Sequence, residues 1–257
     1  MIRASGLRVV YRNGVVAVDG VDIVLREGVV TGVIGPNGAG KSSLLKAIAG
    51  LIQYNGLVYI DGYEVSRTPY RVLARLISYT SSISVPEMLS YTVYEALLLS
   101  RYPLSRGFFE TSEDEAIVER ILVETGLEGL ADRRLSELSS GELQRVLFAM
   151  AIARDPRYLL LDEPDNHLDL RGKAWVSMFI KKFSRGRVVV LSTHDLLFAF
   201  NTVDYIVLLD HGRIVYSGYR DDVLGASELF EKVYGVRILF KRDNGRVYPI
   251  PLYEIVS

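Results

Sequence analysis

One string, Gly35-Pro36-Asn37-Gly38-Ala39-Gly40-Lys41-Ser42, constrains what this chain can fold into more than any other feature. It satisfies G-x-x-x-x-G-K-[ST], and its setting is the one the pattern needs: an apolar β-type run at 29–34 before it and a helix-favouring stretch at 41–49 after it. Glycines let successive backbone N–H groups converge on phosphate oxygens, and the start of the helix adds a partial positive charge. In such a loop the lysine reaches β- and γ-phosphates and the next hydroxyl ligates Mg²⁺. Lys41 and Ser42 are assigned those roles for ATP, and Ser43 is counted with the same site.

The rest of the chain supplies a frame for that loop. Short β-type runs at 7–11, 21–25, 29–34 and 57–60 precede a mostly helical insert at about 86–154. Capping-box patterns at Thr92/Glu95 and Ser112/Glu115 and a stop at Gly126 mark helices within the insert. Strand and helix then alternate from 158 to 218, which calls for a parallel sheet covered on both faces. A last helix at 228–234 and a hairpin turning at Asp243-Asn244-Gly245 close the chain. The expectation is one nucleotide-binding domain at 1–225 and a small appendage at 226–257.

Tyr158-Leu159-Leu160-Leu161-Asp162-Glu163 is an apolar strand ending in two carboxylates, an arrangement that sets acids beside a phosphate loop at the C-terminal edge of a parallel sheet. Asp162 is expected in the Mg²⁺ shell, and Glu163 as general base or water-orienting group. Leu138-Ser139-Ser140-Gly141-Glu142 leads into another helix and makes a second anion site, although Ser-Ser-Gly also caps helices for structural reasons alone. His194 follows an apolar run and could donate to the γ-phosphate, whereas His211 sits in an Asp-His-Gly turn and is assigned to structure. Tyr11, before Arg12-Asn13-Gly14, either stacks on adenine or packs into the core.

Together these pieces resemble the nucleotide-binding subunit of ABC transporters, from about residue 7 to 218. Gly35 to Ser42 resembles Walker A, Leu138 to Glu142 the signature, Tyr158 to Glu163 Walker B, Asn166-His167-Leu168-Asp169 the D-loop, His194 the switch histidine and Tyr11 the adenine-stacking residue. The resemblance implies an α/β P-loop NTPase fold of ABC type, a RecA-like core with an antiparallel β subdomain and a helical subdomain. It also implies an ATPase that pairs head to tail with a second copy, so that Ser139, Ser140, Gly141 and Glu142 face the ATP of the other subunit. Two membrane permease subunits would hold the pair at the cytoplasmic face, with a substrate-binding protein acting indirectly. Ser100-Arg101-Tyr102-Pro103 after Thr92-Val93-Tyr94-Glu95 is similar to a stretch in importers for iron-siderophores, haem and cobalamin, with an oxyanion importer as the alternative.

Three positions depart from that pattern. Ser140 stands where Gly is usual, and its added hydroxymethyl narrows the approach to phosphate. Asp165 stands where a small hydroxyl or alanine is commoner. At the Q-loop, the family's Gln is replaced by Ser82, or Ser81 if the register slips, and neither Gln53 nor Gln144 is near. A serine reaches the metal only through a bridging water, so slower or more weakly coupled hydrolysis is expected.

Composition sets the remaining bounds. At 257 residues with 49% apolar and 24% charged residues the chain can bury a full core. A net charge of −1 and a pI near 6.3 provide no overall attraction to nucleic acid. There is no run of about 18 apolar residues, the length a membrane helix needs. With no Cys, disulfides and thiolate metal sites are excluded. A single Walker A, a short helical insert and no basic patch argue against an ABC protein acting on ribosomes or DNA.

Overall fold

The computed structural model describes residues 1–81, 88–104 and 111–256. Its centre is a six-stranded sheet of β3 (Val30–Ile34), β6 (Ile77–Ser81), β7 (Tyr158–Asp162), β8 (Val188–Thr193), β9 (Tyr205–Asp210) and β10 (Arg213–Tyr219), in the order β10-β9-β3-β8-β7-β6. Five of these strands run parallel and β10 pairs antiparallel at the edge. The strands β3, β7 and β8 are buried at every residue, as continuous apolar runs in a doubly covered parallel sheet should be.

Period-2 alternation then divides the sheet between two cores. Val33, Leu160, Val190 and Val207 pack with Leu44, Leu45 and Ile48 of α1 (Lys41–Ile48) on one face. Leu159, Leu161, Val189, Leu191 and Leu208 face the remaining helices on the other. A second sheet, antiparallel and ordered β2-β1-β4-β5, joins β1 (Ile2–Val10), β2 (Val16–Leu25), β4 (Asn55–Ile60) and β5 (Tyr63–Glu64), and packs on the α1 side. A short helix α2 (Tyr70–Leu76) leads into β6.

The helical layer consists of α3 (Val93–Ser100), α4 (Ser112–Thr125) and α5 (Ser140–Ile152). Thr92 and Glu95 form the expected capping box of α3. The box of α4 lies one residue earlier than the sequence pattern suggests: Thr111 caps the Asp114 N–H and Asp114 answers, which leaves Ser112 inside the first turn. Two overlapping S/T-x-x-D/E strings compete here, and a second bond decides between them. Asp114 also takes an ion pair from the buried Arg101 at 2.7 Å, tying the end of α3 to the start of α4. Gly126 ends α4 in the left-handed region at φ 65°.

Beyond β7, α6 (Leu170–Phe183) and α7 (Leu196–Thr202) cover the sheet. After β10 the chain forms α8 (Ser227–Tyr234) and a hairpin of β11 (Val236–Asp243) and β12 (Arg246–Ile255), turning at Asn244 and Gly245 with φ 47° and 79°. Phe230, Ile238 and Val247 are fully or almost fully buried in the same cluster as α3 to α7, and Phe230 and Phe240 stack edge-on or tilted against Phe200. Each such aromatic burial is worth roughly 2–3 kcal/mol, so the tail contributes to the main core.

Candidate functional site

The C-terminal ends of three neighbouring strands, β3, β8 and β7, define one edge of the sheet. Their register sets Ile34 beside Thr193 and Ser192 beside Asp162. The turn after β3 is the Gly-rich loop. Gly35 and Gly40 have φ of 149° and 101°, and a Cβ on either would lie 2.2 Å from the Leu209 carbonyl or 2.0 Å from the Ala17 carbonyl. Only glycine fits where the loop presses this closely on two other backbones. Pro36, Asn37, Gly38 and Ala39 complete the loop, and the Ala39 carbonyl is fixed by the Gly212 N–H at 3.0 Å.

Lys41 is 5% exposed, and its Nζ donates to the Gly35 and Pro36 carbonyls at 2.8 and 2.9 Å. Burial pushes its ammonium down from the ordinary lysine value, opposed by the charges of Glu163, Asp162 and Asp165. Ser42 Oγ donates to Asp162 Oδ1 at 2.9 Å, joining segments 120 residues apart in the chain. Asp162 also accepts from Ser192 Oγ on Oδ1 and from Tyr79 OH on Oδ2 at 2.8 Å. Glu163 turns the backbone at the end of β7 with φ 51°, a left-handed conformation uncommon for a side chain of this kind. Its N–H is held by the Ser192 carbonyl and hydroxyl at 3.1 and 3.0 Å, and its carboxylate accepts from Asn166 Nδ2 and lies 3.5 Å from His194 Nδ1.

Tyr11, just beyond β1, is 42% exposed and shares a 2.9 Å hydrogen bond with Ser43 Oγ. Its ring stands at the rim of the phosphate loop and not in the core. His211 turns β9 into β10 at φ 45°, its side chain exposed and its Nδ1 2.7 Å from Asp210 Oδ1.

Ser139, Ser140, Gly141 and Glu142 are set apart. Ser139 is the N-cap of α5 in a full capping box with Glu142, which accepts from the Ser139 N–H and Oγ at 2.8 and 2.6 Å. Ser139, Gly141 and Glu142 share a groove with Asp169, Arg171 and Trp175, and among the described residues no hydrogen bond joins them to residues 35–43. Asp169 caps α6 through the Gly172 N–H at 2.7 Å. Ser82 lies outside the described residues; Ser81, the last residue of β6, is in register with Asp162.

Three residues with a part in this geometry were not legible in the chain, Tyr79, Ser192 and Gln144, and a fourth, Asn166, was named there without this contact. Gln144, buried on α5, donates to the Pro164 carbonyl at 3.1 Å, immediately after Glu163. A signal existed only for Asn166, which lies within the D-loop string.

Residues 18–166 match the family described as ABC transporter. The chain belongs to that family. Among curated ABC proteins it is 34% identical over 239 residues to the petrobactin import ATP-binding protein YclP of Bacillus subtilis, covering 91% of this chain and 94% of that protein. It is 38% identical over 236 residues to the hemin import ATP-binding protein HmuV of Streptomyces coelicolor, covering 90% and 82%. The dimeric ATP-binding cassette MJ0796, in a post-hydrolysis state bound to ADP and Pi, superposes with a TM-score of 0.74 at 27% identity, covering 85% of this chain and 98% of that one. The present chain is thus an ABC ATP-binding subunit, an ATPase with the mixed α/β fold of its family. No described helix is long and apolar enough to cross a membrane.

Proposed function

We propose that this ABC subunit hydrolyses ATP to drive import of an iron chelate, a siderophore or haem, and that the 2.9 Å bond between Ser42 and Asp162 marks where the triphosphate and its metal sit. Support for the cargo class comes from the relatives named for petrobactin and hemin import. The donor set suits Mg²⁺, a hard cation usually bound by one or two carboxylates together with phosphate oxygens: a hydroxyl and a carboxylate meet at the mouth of the loop. Ser42 and Asp162 would hold the ion, which would supply charge neutralisation to the triphosphate.

The remaining work falls to side chains. Lys41 exchanges its two loop carbonyls for phosphate oxygens, and Tyr11 at the rim offers its ring to adenine. Glu163 takes a proton from the attacking water, while His194, 3.5 Å from that carboxylate, orients it and contacts the γ-phosphate. Ser139, Ser140, Gly141 and Glu142 act on the ATP of a second copy, with Asp169 at the same face. The pair docks on two permease subunits at the cytoplasmic face of the membrane, fed by a substrate-binding protein. Ser82 in place of Gln slows or loosens the link between hydrolysis and the permease; installing Gln there and finding an unchanged ATPase rate in membranes removes that idea.

The decisive experiment compares the purified chain with Glu163→Gln. Turnover is expected to fall about 10²- to 10⁴-fold, with ATP binding retained and an ATP-dependent dimer in sedimentation that Ser139→Ala weakens. Unchanged turnover in Glu163→Gln removes Glu163 from its role. For the cargo, an iron-chelate-loaded binding protein should stimulate ATPase activity of the reconstituted importer; failure with every iron chelate, together with stimulation by another cargo, overturns the substrate assignment.

A further inference from the structure

A cavity of about 540 Å³ opens between α4, the C-terminal end of α5 and α6, and no residue of the phosphate loop lines it. Five cations contribute to its wall: Arg101, Arg120, Arg154, Lys182 and Arg187. Three carboxylates stand within ion-pair distance of them. Asp114 holds Arg101 at 2.7 Å, Asp155 holds Arg187, and Glu124 is shared at 3.9 Å by Arg120 and Lys182. Among the described residues, positive charge therefore exceeds negative charge in the cavity.

Arg154 is the residue left over. Among the described residues its guanidinium makes no hydrogen bond or ion pair, and its Nε is fully buried without a partner. Burial pushes the group below the ordinary arginine value, opposed by the nearby Tyr70. A guanidinium whose Nε is shut off from water with nothing to donate to is unfavourable, although the residue as a whole is only half-buried, and a planar fork of N–H groups is matched best by an oxyanion. The loosely held Arg120 and Lys182 add charge at the same opening, while Phe179 and Phe183 form its apolar wall.

We infer that this cavity is a second anion site, separate from the nucleotide loop, in which Arg154 binds a phosphate group with Lys182 and Arg120 beside it. The inference rests on the cavity alone and stands whether or not the cargo assignment holds. The walls come from two bodies: α4 and α5 of the helical layer, and α6, which follows the D-loop on the core. A bound phosphate bridges them and restrains their relative movement. The phosphate is either free in solution or part of a lipid headgroup.

Trp175, the only tryptophan, provides the readout, because its ring lies 4.2 Å from that of Phe179 on the cavity wall. Inorganic phosphate is titrated into full-length Lys41→Ala, in which the nucleotide loop has lost its lysine, and into the double variant carrying Arg154→Gln as well. A saturable change in Trp175 emission is expected in the first, with affinity weakened roughly 10- to 100-fold in the second, the loss of a charged hydrogen bond. In the absence of phosphate, Arg154→Gln should unfold at the same temperature or higher, since an uncompensated charge has gone. A parallel arm floats both proteins with phosphatidylglycerol and phosphatidylcholine vesicles; Arg154-dependent flotation on the anionic vesicles alone assigns the phosphate to a headgroup. Absence of both responses, or equal responses in the two proteins, overturns the site, as does a lower unfolding temperature for Arg154→Gln without phosphate.

Discussion

Gln144 on the signature helix donates its side-chain amide to the carbonyl of Pro164, at 3.1 Å, one residue beyond Glu163. The contact is buried and crosses from the helical layer to the end of β7. The bond ties α5 to the turn that carries the Glu163 carboxylate, whose other anchors are Asn166 and the bonds from its N–H to Ser192. Gln144→Leu keeps the volume and removes the donor. A stability loss of about 1–2 kcal/mol is expected, with kcat down roughly tenfold or more through misplacement of Glu163 and ATP affinity little changed. Steady-state kinetics beside nucleotide titration checks this; a parallel loss of binding and turnover contradicts the link.

Tyr79 donates to Asp162 at 2.8 Å, and burial together with the nearby Asp162 charge pushes its phenol well above the ordinary value. It is therefore a neutral donor at every working pH. Tyr79→Phe should cost about 1–3 kcal/mol of stability, the worth of a hydrogen bond to a charged group, and raise the Mg²⁺ concentration needed for half-maximal turnover. The cost should be the same at pH 6.5 and pH 8.5. Thermal melts at the two values test it, and a cost confined to one of them refutes the assignment.

Asp165 is 3% exposed; Thr193 donates to its Oδ2, its Oδ1 has no hydrogen-bond partner among the described residues, and burial pushes its carboxyl up to about 6. Neighbouring charges act in opposite directions, Asp195 raising it and Lys173 lowering it. Between about pH 4 and 6 the folded chain holds a proton there that the unfolded chain has released, so this group's contribution to stability declines as pH rises through that window. Asp165→Asn cannot titrate. Relative to the variant, the parent chain should lose about 1–3 kcal/mol on going from pH 4 to pH 7. Urea unfolding across this range gives the difference directly, and a gap between the two proteins that stays constant with pH would falsify the titration.

Gly38 and Gly40 both have positive φ, 82° and 101°, yet a Cβ on Gly38 meets nothing within 4 Å whereas one on Gly40 meets the Ala17 carbonyl at 2.0 Å. Gly40→Ala should therefore cost about 2 kcal/mol or more and abolish ATP binding, while Gly38→Ala pays only backbone strain of about 1 kcal/mol. Calorimetry and nucleotide titration on the pair separate the two terms. Equal effects would place the cost in φ alone.

The chain by itself determined the elements and the chemistry carried by contiguous strings. Residues 35–42, the run Tyr158–Asp162 with Glu163 after it, the N-cap at Ser139 and the Asn244-Gly245 turn were legible because backbone geometry and local hydrogen bonds require those residue types at those spacings. The α4 cap was misplaced by one residue because Thr111 and Ser112 satisfy the same local rule. Tertiary structure alone decided the rest. Tyr79 and Asp162 are 83 positions apart and meet because β6 and β7 pair in parallel register; Gln144 and Pro164 meet because α5 packs over the end of β7. No periodicity records which long-range strand ends become neighbours. For the same reason the Arg154 Nε, unpartnered among the described residues, could not be read from the chain, since whether an arginine has a partner depends on what the folded helices bring to it.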